Sequence, residues 1–338
     1  MSSAKQTKQK QPVSASAIVR IVIWSIVLVI LLSVFGVLLA GRTIYSVLSP
    51  GLNLGGYTYD DVDEYTVGGG KSTQHIRELD IDWLEGGIEI LPSDDDTIII
   101  CDSYTGDDDR QRLRWKIDEG ELSIKYCAPY WFFSPTNVKR KDLTVYIPRT
   151  MLDSMDEVSL ESVDSWMTFT GNARELSVDG VSCELTVTGD IGELEMDAVE
   201  GKLTFYGTAN EIHVNGVEGT AILYPENALR VDIDGIESEV TVYLADSIGG
   251  FRIDADSLGG EVIIDGFDGA DRNSEHITTW GNGALRVNMD GLSSSVTIKP
   301  RSAAPAEVVP ETRPETTPET VPETNVETAA DTEPETAT

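Results

Sequence analysis

The segments ELSVDGVSCELTV (residues 175–187), ELEMDAVEGKLTF (193–205) and EIHVNGVEGTAIL (211–223) align without a gap. Taking the first apolar position as offset 0, apolar residues recur at offsets 0, 2, 5, 9 and 11: Leu176, Val178, Val181, Leu185 and Val187, then Leu194, Met196, Val199, Leu203 and Phe205, then Ile212, Val214, Val217, Ala221 and Leu223. The same template fits from Val158, Val231 and Val287, and far upstream from Leu79. Starts at 158, 176, 194, 212, 231 and 251 are separated by 18, 18, 18, 19 and 20 residues. Offsets 0/2 and 9/11 alternate with period two, so each unit predicts two short strands with one apolar face apiece, and offset 5 is expected to fill the corner between them. A helix would need a 3/4 rhythm, which is absent. One unit cannot cover its own apolar face, so the units must stack, with parallel ladders between successive copies. The predicted fold is all-β: a parallel β-solenoid, or β-helix, of two-strand rungs of roughly 18–20 residues. An antiparallel sandwich or propeller is the alternative with similar strand spacing.

Offsets 3 and 4 read Asp179-Gly180, Asp197-Ala198, Asn215-Gly216 and Asp234-Gly235, a turn chemistry in which Gly accepts φ > 0 and Asx bonds its own backbone. With rungs about 4.8 Å apart, Asp179, Asp197, Asn215 and Asp234 fall in one column. Carboxylates at that separation repel by roughly 0.9 kcal/mol in water, which makes the column a candidate cation site, with calcium as the ion. Solvated turns are the plainer reading. Neither the glycine-rich calcium nonapeptide nor an EF-hand loop is present.

From Ile21 to Ala40 run 20 residues without a charge. At about 1.5 Å per residue such a helix spans about 30 Å, one hydrocarbon thickness. Lys5, Lys8, Lys10 and Arg20 precede it and only Arg42 follows closely. The positive-inside rule then places the N-terminus in the cytoplasm and the remainder outside, a single-pass cell-membrane protein whose Ile21–Ala40 segment contacts the lipid bilayer. The expected organisation is a short basic cytoplasmic head (1–17), a transmembrane helix (18–40), a juxtamembrane linker (41–74), an extracytoplasmic β-solenoid (75–300) and a disordered tail (301–338). That tail carries PETRPETTPETVPETNVET at 310–328, a composition without the apolar residues a core requires.

With 25 Lys+Arg and 58 Asp+Glu the formal charge is −33, which excludes a binder of phosphate backbones, so no nucleic-acid partner is expected. The first 42 residues are basic, and the segment 43–300 carries most of the acidity. Cys101, Cys127 and Cys183 are an odd number in the external portion; Cys101 and Cys127 pair only if their strands are neighbours. His75, His213 and His276 lie in no metal or nucleophile motif, and GxSxG and HExxH are absent. No catalytic residue, cofactor or enzymatic activity is expected; a polysaccharide-active β-helix is the remaining enzymatic alternative. The aromatic insert Tyr130-Trp131-Phe132-Phe133, bracketed by Pro129 and Pro135, and the interruption at 265–284 that carries Trp280 are the candidate binding elements.

YDDVDEYTVGGG at 59–70, IRELDIDWLEGGIEIL at 76–91, KDLTVYIPRTM at 141–151 and the serial units VSLESVDSWMTFTG, LSVDGVSCELTVTG and LEMDAVEGKLTFYG resemble the putative adhesin family DUF4097, over roughly residues 57–300. The resemblance implies a β-solenoid on a bacterial envelope, with adhesion by analogy and some relatives acting beside envelope-stress regulators. Two functions follow as expectations. One is a non-enzymatic surface module that binds a cell-wall polymer, a host ligand or a membrane protein. The other is a sensor or modulator of envelope stress acting with a membrane signalling system.

Overall fold

The computed structural model describes residues 56–131, 139–227, 229–256, 259–272 and 276–305. The segment Ile21–Ala40 lies outside them, as does most of the tail; among the described residues no helix is long and apolar enough to cross a membrane. The described chain is nearly all β. Its strands are β1 (Gly56–Tyr57), β2 (Thr66–Val67), β3 (Gly70–Ser72), β4 (Glu78–Ser93), β5 (Ile98–Asp102), β6 (Arg114–Asp118), β7 (Glu121–Lys125), β8 (Tyr130–Trp131) and β9 (Leu143–Pro148). After the short helix α1 (Arg149–Leu152) come β10 (Met155–Thr170), β11 (Ala173–Pro225), β12 (Arg230–Leu244), β13 (Gly250–Ala255), β14 (Glu261–Ile264), β15 (Asp271–Arg272), β16 (Ile277–Gly281), β17 (Leu285–Gly291) and β18 (Ser295–Pro300).

The repeat period sets the register. β10 pairs in parallel with β11 from Met155↔Ala173 to Thr170↔Thr188, a shift of 173 − 155 = 18 residues. β11 continues through three repeats and then pairs in parallel with β12, where Ile212 faces Val231 and Leu223 faces Val242. Upstream, β4 joins the same ladder with Leu79 beside Val158 and Ile88 beside Met167. Each repeat therefore contributes two arms, and equivalent positions of successive repeats form columns. Tyr206, Tyr224 and Tyr243 show the consequence outside the core, stacking ring on ring at 4.7 and 5.0 Å. Where one repeat passes to the next, Gly207 adopts φ 139°, and a Cβ there would lie 2.0 Å from the Gly189 carbonyl oxygen. Only glycine lets the chain pass that close.

Side chains at offsets 0, 2, 9 and 11 fill the interior. Leu194, Met196, Leu203 and Phe205 are buried, as are their equivalents in the neighbouring repeats. At roughly 1.5–3 kcal/mol per buried large apolar side chain, this column packing is the main stabilising term. Offset 5 does not follow the sequence expectation. Val181, Val199, Val217, Ile236 and Leu292 are between 41 and 47% exposed. Inward positions are even in the first arm and odd in the second, so the alternation must slip once. It slips at offsets 5 and 6, which both face out. The inner corner is lined at offset 7 by Ser165, Cys183, Gly201, Gly219, Ser238 and Ser294, because the arms converge too closely for larger groups. A Cβ on Gly201 would already lie 3.0 Å from Met196 Cε.

The order of repeats also departs from simple succession. β17 and β18 do not stack beyond β13 and β14 but between them and β12. Arg286 faces Arg230 on one side and Arg252 on the other, and Val296 faces both Val240 and Val262. The chain passes β12's neighbour position, lays down β13 and β14, turns back through the antiparallel β15–β16 pair and inserts its last repeat into the intervening space. The linkers 245–249 and 281–284 consequently cross, an arrangement that folds normally avoid. At the crossing Asn282 N–H donates to the Gly249 carbonyl at 3.1 Å, and Gly281 (φ 62°) leaves no room for a side chain, a Cβ lying 2.1 Å from that carbonyl oxygen.

Antiparallel strands cover both edges of the first-arm ladder: β6 and β2 beyond β7, β16 and β15 beyond β13. Among the described residues, the edges of the first-arm ladder are thus closed by antiparallel strands, which leaves no parallel template open there. Residues 56–72, assigned from sequence to the linker, contribute β1–β3 and the buried Tyr57 and Tyr65 to this end. All three cysteines are free.

Leu203→Ala should lower unfolding stability by about 2–5 kcal/mol, while Val199→Ala should change it by no more than about 0.5 kcal/mol. Equilibrium urea unfolding monitored by circular dichroism checks this; equal losses for the two would place offset 5 in the core.

Candidate functional site

The slip at offsets 5 and 6 shapes the outside of the corner into a groove of about 860 Å³ that runs along the stack. Its floor is the chain at offset 7, where the Cys183 side chain turns inward and Gly201 and Gly219 have none. One wall is offset 6, with Asp164, Ser182, Glu200, Glu218 and Glu237; the other is offset 8, with Trp166, Glu184, Lys202, Thr220 and Glu239. Outside the acidic wall stands the exposed apolar column of offset 5. The groove extends from the β10 rung to Ser293 beside the inserted rung, five steps of about 4.8 Å, or about 24 Å. Trp166 closes one end. Its indole lies over Gly87, where a Cβ would sit 2.1 Å from the ring, so the absent side chain creates the seat.

Charge in the groove is lopsided. Arg140 pairs with Asp164 at 3.6 Å and Lys202 pairs with Glu184. Among the described residues no cation lies within ion-pair distance of Glu200, Glu218, Glu237 or Glu239. Glu218 and Glu237 are register neighbours. Their mutual repulsion is about 0.9 kcal/mol even at the permittivity of water, and a cationic group placed between them removes it.

The first arms carry a second acidic surface. Asp179, Asp197, Asn215 and Asp234 occupy equivalent positions one rung apart, with Glu161 in register with Asp179 and Asn215 in register with Asp234. The structure thus brings the residues of the expected column together. Burial, then Asp197, raises the Asp179 carboxyl above its ordinary range. Burial likewise raises Glu161, with Asp80 and Asp179 adding to it. Asp82, in the next rung, is pushed up to about 7 by burial, with Glu161 and Asp80 contributing and Lys125 opposing. The aromatic candidates are placed differently. Tyr130 is half-buried, its ring 6.1 Å from that of Tyr57. Phe132 and Phe133 lie outside the described residues, and the Trp131 side chain is likewise undescribed. Trp280 is half-buried against Phe251 and Phe267, its ring 4.7 Å from the latter.

Two features carried no recognisable sequence signal. The groove depends on where the alternation slips, although an acid recurring at offset 6 (Asp164, Glu200, Glu218, Glu237) is visible in hindsight. The other is Lys141, whose side chain is 1% exposed. Its Nζ donates to Asp102 Oδ2 at 2.9 Å and to the Gln111 carbonyl at 2.7 Å and lies over the Tyr126 and Trp83 rings at 4.8 and 5.2 Å. Burial pulls its pKa down against the pull of Asp102. The ammonium is held by both acceptors and the two rings, so it ties the segment before β9 to the end of β5 and to Gln111 and is not free to act as a nucleophile. Burial also pushes the Cys127 thiol up to about 12 and Cys183 up to about 11, which makes both poor nucleophiles.

No family model and no curated protein matches the chain. Among solved structures, a putative cell adhesion protein from Clostridium sporogenes is 15% identical with a TM-score of 0.31, covering 70% of this chain and 100% of that one. A putative adhesin from Bacteroides fragilis is 11% identical with a TM-score of 0.35, covering 70% of this chain and 97% of that one. At these scores neither similarity fixes a fold or a function, and the DUF4097 resemblance rests on the motifs quoted above.

The Asp82 carboxyl yields a pH test. Its folded pKa of about 7 stands above the ordinary 3.8, so between those values the folded chain holds a proton that the unfolded chain has released. Stability should therefore fall as pH rises from about 4 to about 7 through this group. Asp82→Asn should raise the melting midpoint at pH 8 and leave it nearly unchanged at pH 4. A variant less stable than the parent at pH 8 would show that the ionised carboxylate is stabilising.

Proposed function

We propose that the chain is a non-enzymatic surface binding module: a β-solenoid held outside the cell on the Ile21–Ala40 membrane anchor, whose corner groove takes up an extended segment of a cell-wall polymer, host ligand or neighbouring envelope protein. The observation that carries this reading is the groove, which runs along the stack and repeats an acid beside an apolar residue on three successive rungs, at Glu200, Glu218 and Glu237. A site with translational repetition suits a linear polymer lying along the stack better than a compact substrate. The acids Glu200, Glu218 and Glu237 supply attraction for cationic groups, and Val199, Val217 and Ile236 supply adjacent apolar contact. Parallel in-register pairing at the repeat period supports the solenoid. The uncharged N-terminal run and its basic flank support the anchor and its orientation.

The triple variant Glu200→Gln, Glu218→Gln, Glu237→Gln should reduce attachment of cells displaying the full chain, and its binding to isolated cell walls, by at least about tenfold at low salt. Its melting temperature should not fall. Unchanged attachment and wall binding would defeat the groove reading. Deletion of the gene that altered envelope-stress transcription while leaving attachment intact would favour the sensor instead.

A further inference from the structure

We propose that His213, Glu211 and Glu193 form a binding site for a divalent transition-metal ion on the outer face of the first arms, away from the corner groove. His213 and Glu211 are two residues apart on one rung of β11 and so point to the same face, and Glu193 occupies the Glu211 position one repeat earlier. His213 Nε2 lies 3.5 Å from Glu211 Oε1 and 3.7 Å from Glu193 Oε1. Metal–ligand bonds of about 2.0–2.2 Å in tetrahedral geometry set ligand atoms about 3.4 Å apart. Each carboxylate oxygen thus stands within a few tenths of an ångström of a coordination edge from the imidazole nitrogen, on a rigid sheet.

The other side of the imidazole supplies the independent observation. Asp232 is the register partner of His213, and its Oδ2 lies 3.8 Å from Nδ1. Asp232 is itself held: Arg230 Nε contacts the same oxygen at 2.9 Å, and Asn288 Nδ2 donates to the other. A carboxylate fixed behind one imidazole nitrogen while the second faces two carboxylates is how metal-ligating histidines are oriented. Arg230 also reaches Glu211 at 3.3 Å, so it must release that oxygen when a metal enters, keeping its contact with Asp232. One imidazole with two carboxylates suits Zn²⁺, Ni²⁺ or Cu²⁺; calcium, which takes oxygen ligands, is disfavoured. The surrounding acidic columns raise the local concentration of any cation.

The test is calorimetric titration of Zn²⁺ into the full-length chain in detergent micelles near pH 7.5. The proposal expects one saturable equivalent per chain, weakened at least about tenfold by His213→Ala and about 10–100-fold by Asp232→Asn. The exposed His75 serves as control, and His75→Ala should bind as the parent does. With Cu²⁺, electron paramagnetic resonance should show nitrogen hyperfine structure that His213→Ala abolishes. Absence of saturable zinc binding at concentrations up to about 1 mM, or parental affinity in His213→Ala, would overturn the site. The groove variants leave these residues untouched, so the two readings fail separately.

Discussion

Interior side chains at four positions per repeat, each packed against its own equivalent one rung away, hold this molecule together. Leu185 meets Met167 on one side and Leu203 on the other because parallel pairing advances by one repeat per strand. Parallel ladders need both neighbours in place, so no repeat is stable alone, and the register cannot slip by one residue without turning every apolar side chain out into water. Everything outside the core inherits that constraint. Positions facing solvent are also placed beside their own equivalents, so a residue type repeated in sequence becomes a column in space.

Columns of like charge are therefore a built-in property, and the molecule carries several. On the first arms Glu78, Glu157, Glu175, Glu193 and Glu211 share one column, which changes sign at Arg230, Arg286 and Arg252. Parallel pairing imposes the proximity, burial and neighbouring carboxylates raise the pKa of Asp82, Glu161 and Asp179, and the resulting field favours cationic partners. At the corner the same logic pairs an acidic column with an apolar one. Glu200, Glu218 and Glu237 stand beside Val199, Val217 and Ile236 on three successive rungs, a mixed face that a purely polar solvated column does not present.

Much of this was legible in the sequence. Period-two pairs separated by a fixed gap gave the all-β class, the two arms per repeat and the buried residues at offsets 0, 2, 9 and 11. They gave the parallel partners as far as the 231 repeat too, because near-equal spacing from 158 to 231 leaves no other register. Val181 and its equivalents were misassigned for a definite reason: an apolar residue in a repeat reads as core, yet two strands of opposite parity must place two consecutive residues outside somewhere, and composition does not say where. The inserted repeat was also hidden. Phe251 and Ile253 fit the template as well as Val287 and Met289 do, and nothing local states which of the two lies against Val231 and Ile233. Long-range pairing decides between them, and the β15–β16 excursion makes the reversal sterically feasible. The metal-type constellation around His213 was missed because its members come from three repeats, with no motif in any one of them.

The central claim, a stack that advances one strand spacing per repeat with its last repeat laid in from the side, predicts distances along the outer second-arm column. Spin labels placed in pairs at Thr168 with Thr241, Thr297 or Ile263 occupy rungs four, five and six steps apart. Pulsed electron paramagnetic resonance should give separations near about 19, 24 and 29 Å, so that residue 297 is nearer to 168 than residue 263 is. Separations that fail to grow by about 4.8 Å per rung would contradict the stack, and a shorter distance to 263 than to 297 would contradict the insertion.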